Sequence, residues 1–137
     1  AKNEEKTINF TDLVNFCINN INNKNYDLTL IEGVGGTMVP INEKYTIMDL
    51  IIALNIPVIL TIGSYLGSIS HTLNAYEILN KHNINVSSVV IMQSEINDVG
   101  CEATLNSLEN YIKNSPIIYF KRNDIDYLKV DKILNYL

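Results

Sequence analysis

A single carboxylate, Glu32, closes the short apolar run Leu28-Thr29-Leu30-Ile31, and a glycine cluster, Gly33, Gly35 and Gly36, follows at once. The run is brief, partly β-branched and bounded by breakers, which predicts a buried strand over residues 28–32. In a parallel α/β sheet, ligands lie beyond the carboxyl ends of the strands, and Glu32 stands at such an end. Glycines there leave no side chain between the backbone and an approaching phosphate. The carboxylate offers a hard oxygen to Mg²⁺, an ion that takes one or two ligands from protein and the rest from water and phosphate. Taken alone, these residues also describe a solvated strand end and an ordinary turn.

Other reactive side chains carry less. Cys17 and Cys101 fall on separate predicted helices without metal-like spacing and read as reduced core residues of a cytoplasmic protein. His71 lies in the first turn of a helix, where a positive end already disfavours its charged form, so it reads as neutral and hydrogen-bonded. His82 sits near a helix C-terminus as a capping partner. Asp49 reads as a helix-start residue, and Tyr65 as a loop-packing one.

The 137 residues suffice for one domain with its own core, 1–137. Hydrophobic residues make up 47% and charged residues 18%, which excludes a disordered chain. A net charge of −5 without a basic run excludes a general nucleic-acid surface. The longest apolar region, residues 50–62, carries Asn55 and Pro57 and is too short to span a bilayer. No signal peptide is visible. The abundance of Asn, Ile and Lys points to coding bias more than to physics.

These groups need elements to position them. Asn9, with Asp12 three residues on, predicts a helix start, and Phe10, Leu13, Val14, Cys17 and Ile21 share one helical face. Thr46 and Asp49 predict a second start, for a short buried helix over residues 47–54. Residues 57–62 form an apolar strand, residues 63–67 a loop, and residues 68–81 a helix packed through Leu73, Tyr76, Ile78 and Leu79. A strand over 86–92, a polar loop, and a helix marked by Cys101, Leu105, Leu108 and Ile112 come next. A strand over 117–120 and a helix from about Ile125, packing Ile133, Leu134 and Leu137, end the chain. The alternation predicts a parallel sheet with helices on both faces and right-handed connections.

Two blocks resemble dethiobiotin synthases: Tyr26-Asp-Leu-Thr-Leu-Ile-Glu32-Gly-Val-Gly-Gly36-Thr-Met-Val-Pro40, and Ile56-Pro-Val-Ile-Leu-Thr-Ile-Gly63-Ser-Tyr-Leu66-Gly67-Ser-Ile-Ser70-His71-Thr-Leu. Order and spacing agree, and the similarity runs to about Phe120. The resemblance implies a P-loop NTPase-like fold. It also implies closure of the ureido ring of dethiobiotin from 7,8-diaminopelargonate and CO₂ with ATP and Mg²⁺, by a homodimer in biotin synthesis. Glu32 then matches a Mg²⁺ ligand, and Gly33, Val34 and Gly35 line the ATP site. Leu66, Gly67, Ser68 and Ile69 form the loop and helix start that receive the substrate carboxylate, a group of residues that in the family comes from the partner subunit. Exposed N–H groups and the positive end of the helix favour an anion there.

The departures are specific. The family's Gly-x-x-x-x-Gly-Lys-Thr loop is absent, and none of the six glycines is followed by Lys. Its CO₂-side lysine and its Asp metal ligand lie upstream of the part matched. Residues 1–7 resemble the end of a mid-chain Ser-Pro-x-x-Ala-Ala-x-x-Glu segment. The expectation is therefore the C-terminal portion of the fold, lacking the N-terminal P-loop unit and inactive by itself. Met92 stands where the family reads adenine with Asn, Ser70 replaces a second Asn, and the segment near the base is altered around residues 122–124. The alternative is a non-catalytic dimerisation or scaffold remnant.

Overall fold

The computed structural model describes residues 6–95, 99–123 and 126–137. The expectations on residues 1–5, on Asp124 and on a helix start at Ile125 lie outside them. The chain divides into two compact units, residues 1–56 and 57–137.

In the first unit, α1 (Phe10–Ile21) starts at Asn9, whose side chain accepts from the amides of Thr11 and Asp12 at 3.0 and 3.3 Å. Two of the orphan amides of the first turn are thereby satisfied. Its apolar face buries Cys17, with Leu13 and Val14 half-buried. The Phe10 ring stacks on Tyr45, centroids 4.1 Å apart and planes 12° from parallel. α2 (Ile47–Leu54) opens with the box read from Thr46 and Asp49. The Thr46 amide donates to Asp49 Oδ2 at 2.6 Å, and the Asp49 amide donates to Thr46 Oγ1 at 3.4 Å. α2 buries Met48 and Leu50 and ends on left-handed Asn55, φ 48°.

Residues 28–32 are not a strand. No backbone hydrogen bond joins residues 28–33 to any described residue, and Leu28 and Leu30 are 48% and 72% exposed. An apolar, β-branched run expresses a need for burial on both faces. A strand exists only where a neighbour supplies the ladder, and none of the described residues supplies it.

The second unit is a parallel βαβαβ succession followed by a last helix. It comprises β1 (Val58–Gly63), α3 (Ser68–Lys81), β2 (Val86–Met92), α4 (Cys101–Glu109), β3 (Ile117–Phe120) and α5 (Tyr127–Leu134). The strand order is β1-β2-β3, all parallel, with Val58 beside Val86 and Val90 beside Ile118. Two crossovers stepping the same way must put α3 and α4 on one face. The other face carries Val90, Ile118, Phe120 and Ile59, packed by Val130 and Ile133 of α5. Residues 86–91 are all buried, so both faces of β2 are covered. Leu79, Ile91 and Leu108 are fully buried, each worth about 2 kcal/mol of transfer free energy.

The expected packing of Leu134 and Leu137 needs correction. Both are about half exposed, at 45% and 44%. Asp126 caps α5, its side chain accepting from the amides of Leu128 and Lys129. That start sets the helix phase, and the phase turns Val130 and Ile133 inward. Among the described residues three that are not glycine have positive φ, and all are asparagine: Asn55, Asn83 and Asn123.

Candidate functional site

Glu32 and the Gly33, Val34, Gly35 turn lie in the first unit, exposed to solvent. The turn is seated on the start of α2. The Ile47 amide donates to Val39 O at 2.9 Å and the Met48 amide to Thr37 O at 2.7 Å. The first-turn donors of α2 are thus used by the loop itself and are not free for an anion. One glycine is required by its backbone and its surroundings: a Cβ on Gly35, at φ 79°, would stand 2.8 Å from Val39 Cγ2, while one on Gly33 would make a tight contact, 3.0 Å from Ile47 Cγ2. The amides of Gly33, Val34 and Gly35 donate to no described residue, so this backbone can face a ligand.

Among the described residues no group of three or more His, Cys, Asp or Glu side chains could hold a metal ion. A Mg²⁺ ion held by Glu32 would have to complete its shell with oxygens other than protein carboxylates, such as phosphate and water.

The second unit holds residues 66–69 at the start of α3. β1 ends at Gly63, Ser64 is buried and tied to Ser94 beyond the end of β2, and the chain then turns through Tyr65. The Ser68 amide donates back to Tyr65 O at 3.0 Å. Gly67 is the N-cap, at φ 92°, with no side-chain cap. The amides of Ile69 and Ser70 donate to no described residue, leaving the positive end of a 14-residue helix unsatisfied. Ser68 is 2% exposed, and its Oγ has no hydrogen-bond partner among the described residues. A buried hydroxyl in that state costs about 1–3 kcal/mol until a ligand or water meets it. Leu66 is 78% exposed at the lip of this turn. Tyr65 OH lies 3.2 Å from His71 Nδ1, so His71 has the hydrogen-bonded role expected of it.

A cavity of about 580 Å³ opens in the second unit, at the carboxyl ends of β2 and β3 and the start of α4. Gln93, Tyr119 and Lys121 line it together with Gly100 and Glu102. Gln93 is fixed twice. Its amide donates to Phe120 O at 3.0 Å, and its side-chain Oε1 accepts from the Arg122 amide at 3.0 Å. Lys129 Nζ lies 4.3 Å from the Tyr119 ring centroid and donates to Tyr119 O at 2.9 Å. Sequence reasoning singled out neither Gln93 nor Tyr119. The signal was available, since each stands at a strand's carboxyl end.

Both cysteines are free and buried, and burial pushes the Cys17 thiol up. A raised thiol is a poor nucleophile and a poor metal ligand at neutral pH.

A protein-family model described as an AAA domain matches residues 1–122. The chain is 43% identical over 116 residues to the ATP-dependent dethiobiotin synthetase of Acidiphilium cryptum, a match covering 85% of this chain and 52% of that one. It is 38% identical over 94 residues to the enzyme of the same name from Caulobacter vibrioides, covering 69% and 43%. To that of Phenylobacterium zucineum it is 53% identical over 68 residues, covering 50% and 29%. The chain spans about half the length of the relatives it matches, or less. No described helix is long and apolar enough to cross a membrane.

Proposed function

We infer the function from one premise: the chain belongs to the AAA domain family and is dethiobiotin synthetase-like, with a P-loop NTPase-like fold. Its 137 residues act as the C-terminal part of one such domain. The whole enzyme closes the ureido ring of dethiobiotin from 7,8-diaminopelargonate and CO₂, using ATP and Mg²⁺, as a cytoplasmic homodimer. This part binds and orients, and the phosphate loop is supplied by residues other than these.

The observation that carries the reading is the uncapped start of α3 with the orphaned Ser68 hydroxyl. Free amides and a helix dipole suit the carboxylate of diaminopelargonate. Leu66, Gly67, Ser68 and Ile69 hold it, and Leu66 covers the adjoining methylenes. Glu32 holds Mg²⁺, and Gly33, Val34 and Gly35 let the nucleotide approach the backbone. The cavity between Gln93 and Lys121 takes the base. ATP, when bound, supplies an activated phosphoryl group.

Titration of the chain with 7,8-diaminopelargonate, followed by amide chemical shifts, tests the reading. Saturable shifts confined to residues 66–70, weakened several-fold by Ser68→Ala, are expected. Shifts that are absent, or scattered over the surface, would leave the scaffold alternative in possession.

A further inference from the structure

We propose that Lys129 guards the outer edge of β3 against strand pairing with a second copy of this chain, so that the sheet of the second unit is open to edge-to-edge assembly at β1 alone.

β2 is the middle strand, and β1 and β3 each have one neighbouring strand among the described residues. Along a strand, successive residues turn their backbone groups to opposite sides. The Val89 amide donates to Pro116 O and the Gln93 amide to Phe120 O, so the carbonyls of residues 116, 118 and 120 face β2. The backbone groups of Ile117 and Tyr119 then face outward, where no described strand lies. Such a row is a template for a strand from another molecule.

Lys129 stands across that row. Its Nζ donates to Tyr119 O at 2.9 Å, an outward carbonyl. The ammonium lies 4.3 Å from the centroid of the Tyr119 ring and 5.7 Å from that of Phe120. Consecutive side chains leave a strand on opposite faces, so a cation within reach of both rings sits at the rim of the sheet and over neither face. Two contacts hold it there. Val130 and Ile133 seat α5 on the sheet. Asp126, whose Oδ1 accepts from the amides of Leu128 and Lys129, brings its Oδ2 to 3.9 Å from Nζ. An incoming strand would have to break a charge-assisted hydrogen bond and bury or displace the ammonium.

The rest of β3 agrees with a blunted edge. It is four residues long, Pro116 precedes it and Lys121 follows it. β1 is longer, at six residues, and carries no charged side chain. The asymmetry limits size. Two copies that pair about a two-fold axis use the same edge of each sheet, and with one edge open the pair leaves none free. With both edges open, every copy added exposes another edge, and growth has no end.

The experiment compares the full-length wild type, Lys129→Met and Lys129→Arg by light scattering across micromolar concentrations, each well below its melting temperature. Hydrogen exchange at the amides of Ile117 and Tyr119 is followed in the same samples. Met keeps the aliphatic stem and removes the donor and the charge, whereas Arg keeps both. Wild type and Lys129→Arg reach the same limiting mass, and their Ile117 and Tyr119 amides exchange at a rate independent of concentration. Lys129→Met reaches at least about twice that mass and continues to grow, because its second edge pairs too. Its Ile117 and Tyr119 amides slow as the mass rises. A Met variant that melts earlier but keeps the wild-type mass makes Lys129 a stabilising residue only, and overturns the guard. Growth without slowing at Ile117 and Tyr119 overturns it as well, since the new contact then lies elsewhere. An Arg variant that grows as the Met variant does excludes the charge as the cause. The wild type tests the idea without any substitution: Ile117 and Tyr119 amides that slow with concentration there show an edge already in use.

Discussion

Ser64 and Ser94 exchange hydrogen bonds across two strand ends. The Ser64 amide donates to Ser94 Oγ at 3.0 Å, and the Ser94 amide donates to Ser64 Oγ at 3.1 Å. Each hydroxyl satisfies the other's backbone, and the turn that leads into α3 is thereby fixed to the end of β2. The approach is close enough to dictate Gly63, where a Cβ would stand 2.6 Å from Ser94 Oγ.

Ser94→Ala removes the acceptor of a buried amide. We expect a loss of about 1–2 kcal/mol of stability, read as a lower urea midpoint at unchanged slope. Faster hydrogen exchange at Tyr65 and Leu66 should accompany it. A mutant with unchanged exchange there would show that the loop holds itself.

The pure chain should not turn over ATP with diaminopelargonate. No glycine in it precedes a lysine, so no side chain cradles the β- and γ-phosphates, and charge stabilisation is most of phosphoryl-transfer catalysis. Steady release of dethiobiotin and phosphate by this polypeptide alone would sink the expectation.

In an active longer chain, Glu32→Gln should cut kcat strongly and weaken the Mg²⁺ dependence. Glu32 is solvent-exposed at the edge of the glycine turn, so its amide replacement leaves the fold intact, with Tm within a degree or two. An unchanged Mg²⁺ titration would make Glu32 an ordinary surface carboxylate.

Association is the fourth expectation. Among the described residues β1 has one neighbour only, and residues 28–33 have none. Unpaired backbone beside exposed Leu30 and Val34 in the first unit, and the open side of β1 in the second, each invite pairing with another chain. Light scattering at micromolar concentration should report a dimer or larger. Ile69→Asp should weaken it while sparing α3, since an acidic residue suits the first turn of a helix. A folded wild-type monomer refutes association. An assembly indifferent to the change at Ile69 moves the contact to the open backbone.

What was legible in the sequence was local. The Thr46–Asp49 box, the asparagine cap of α1 and the spacing of Cys101, Leu105, Leu108 and Ile112 each declare themselves within a few residues. The apolar runs over β1 and β2 were equally plain, because burial on both faces leaves no other composition. The same signal misled at residues 28–32, since composition expresses a demand for neighbours and not their presence. Leu134 and Leu137 were overestimated because the cap at Asp126, which fixes the phase of α5, was not recognised. The Ser64–Ser94 exchange and the hold of Arg122 on Gln93 span thirty and twenty-nine positions. Neither has a periodicity to read.

The positive-φ residues differ in what holds them. Asparagine, the residue besides glycine that tolerates left-handed backbone, stands at Asn55, Asn83 and Asn123. Gly35 is held because a Cβ would strike Val39, and Gly100 because φ 77° with ψ 147° admits glycine alone. Gly67 is held by its backbone too: at φ 92° any side chain is strained, although the nearest atom to a Cβ is His71 Cε1, 4.0 Å away. The turn into α3 therefore opens on bare backbone, and a substitution there meets strain before it meets a neighbour.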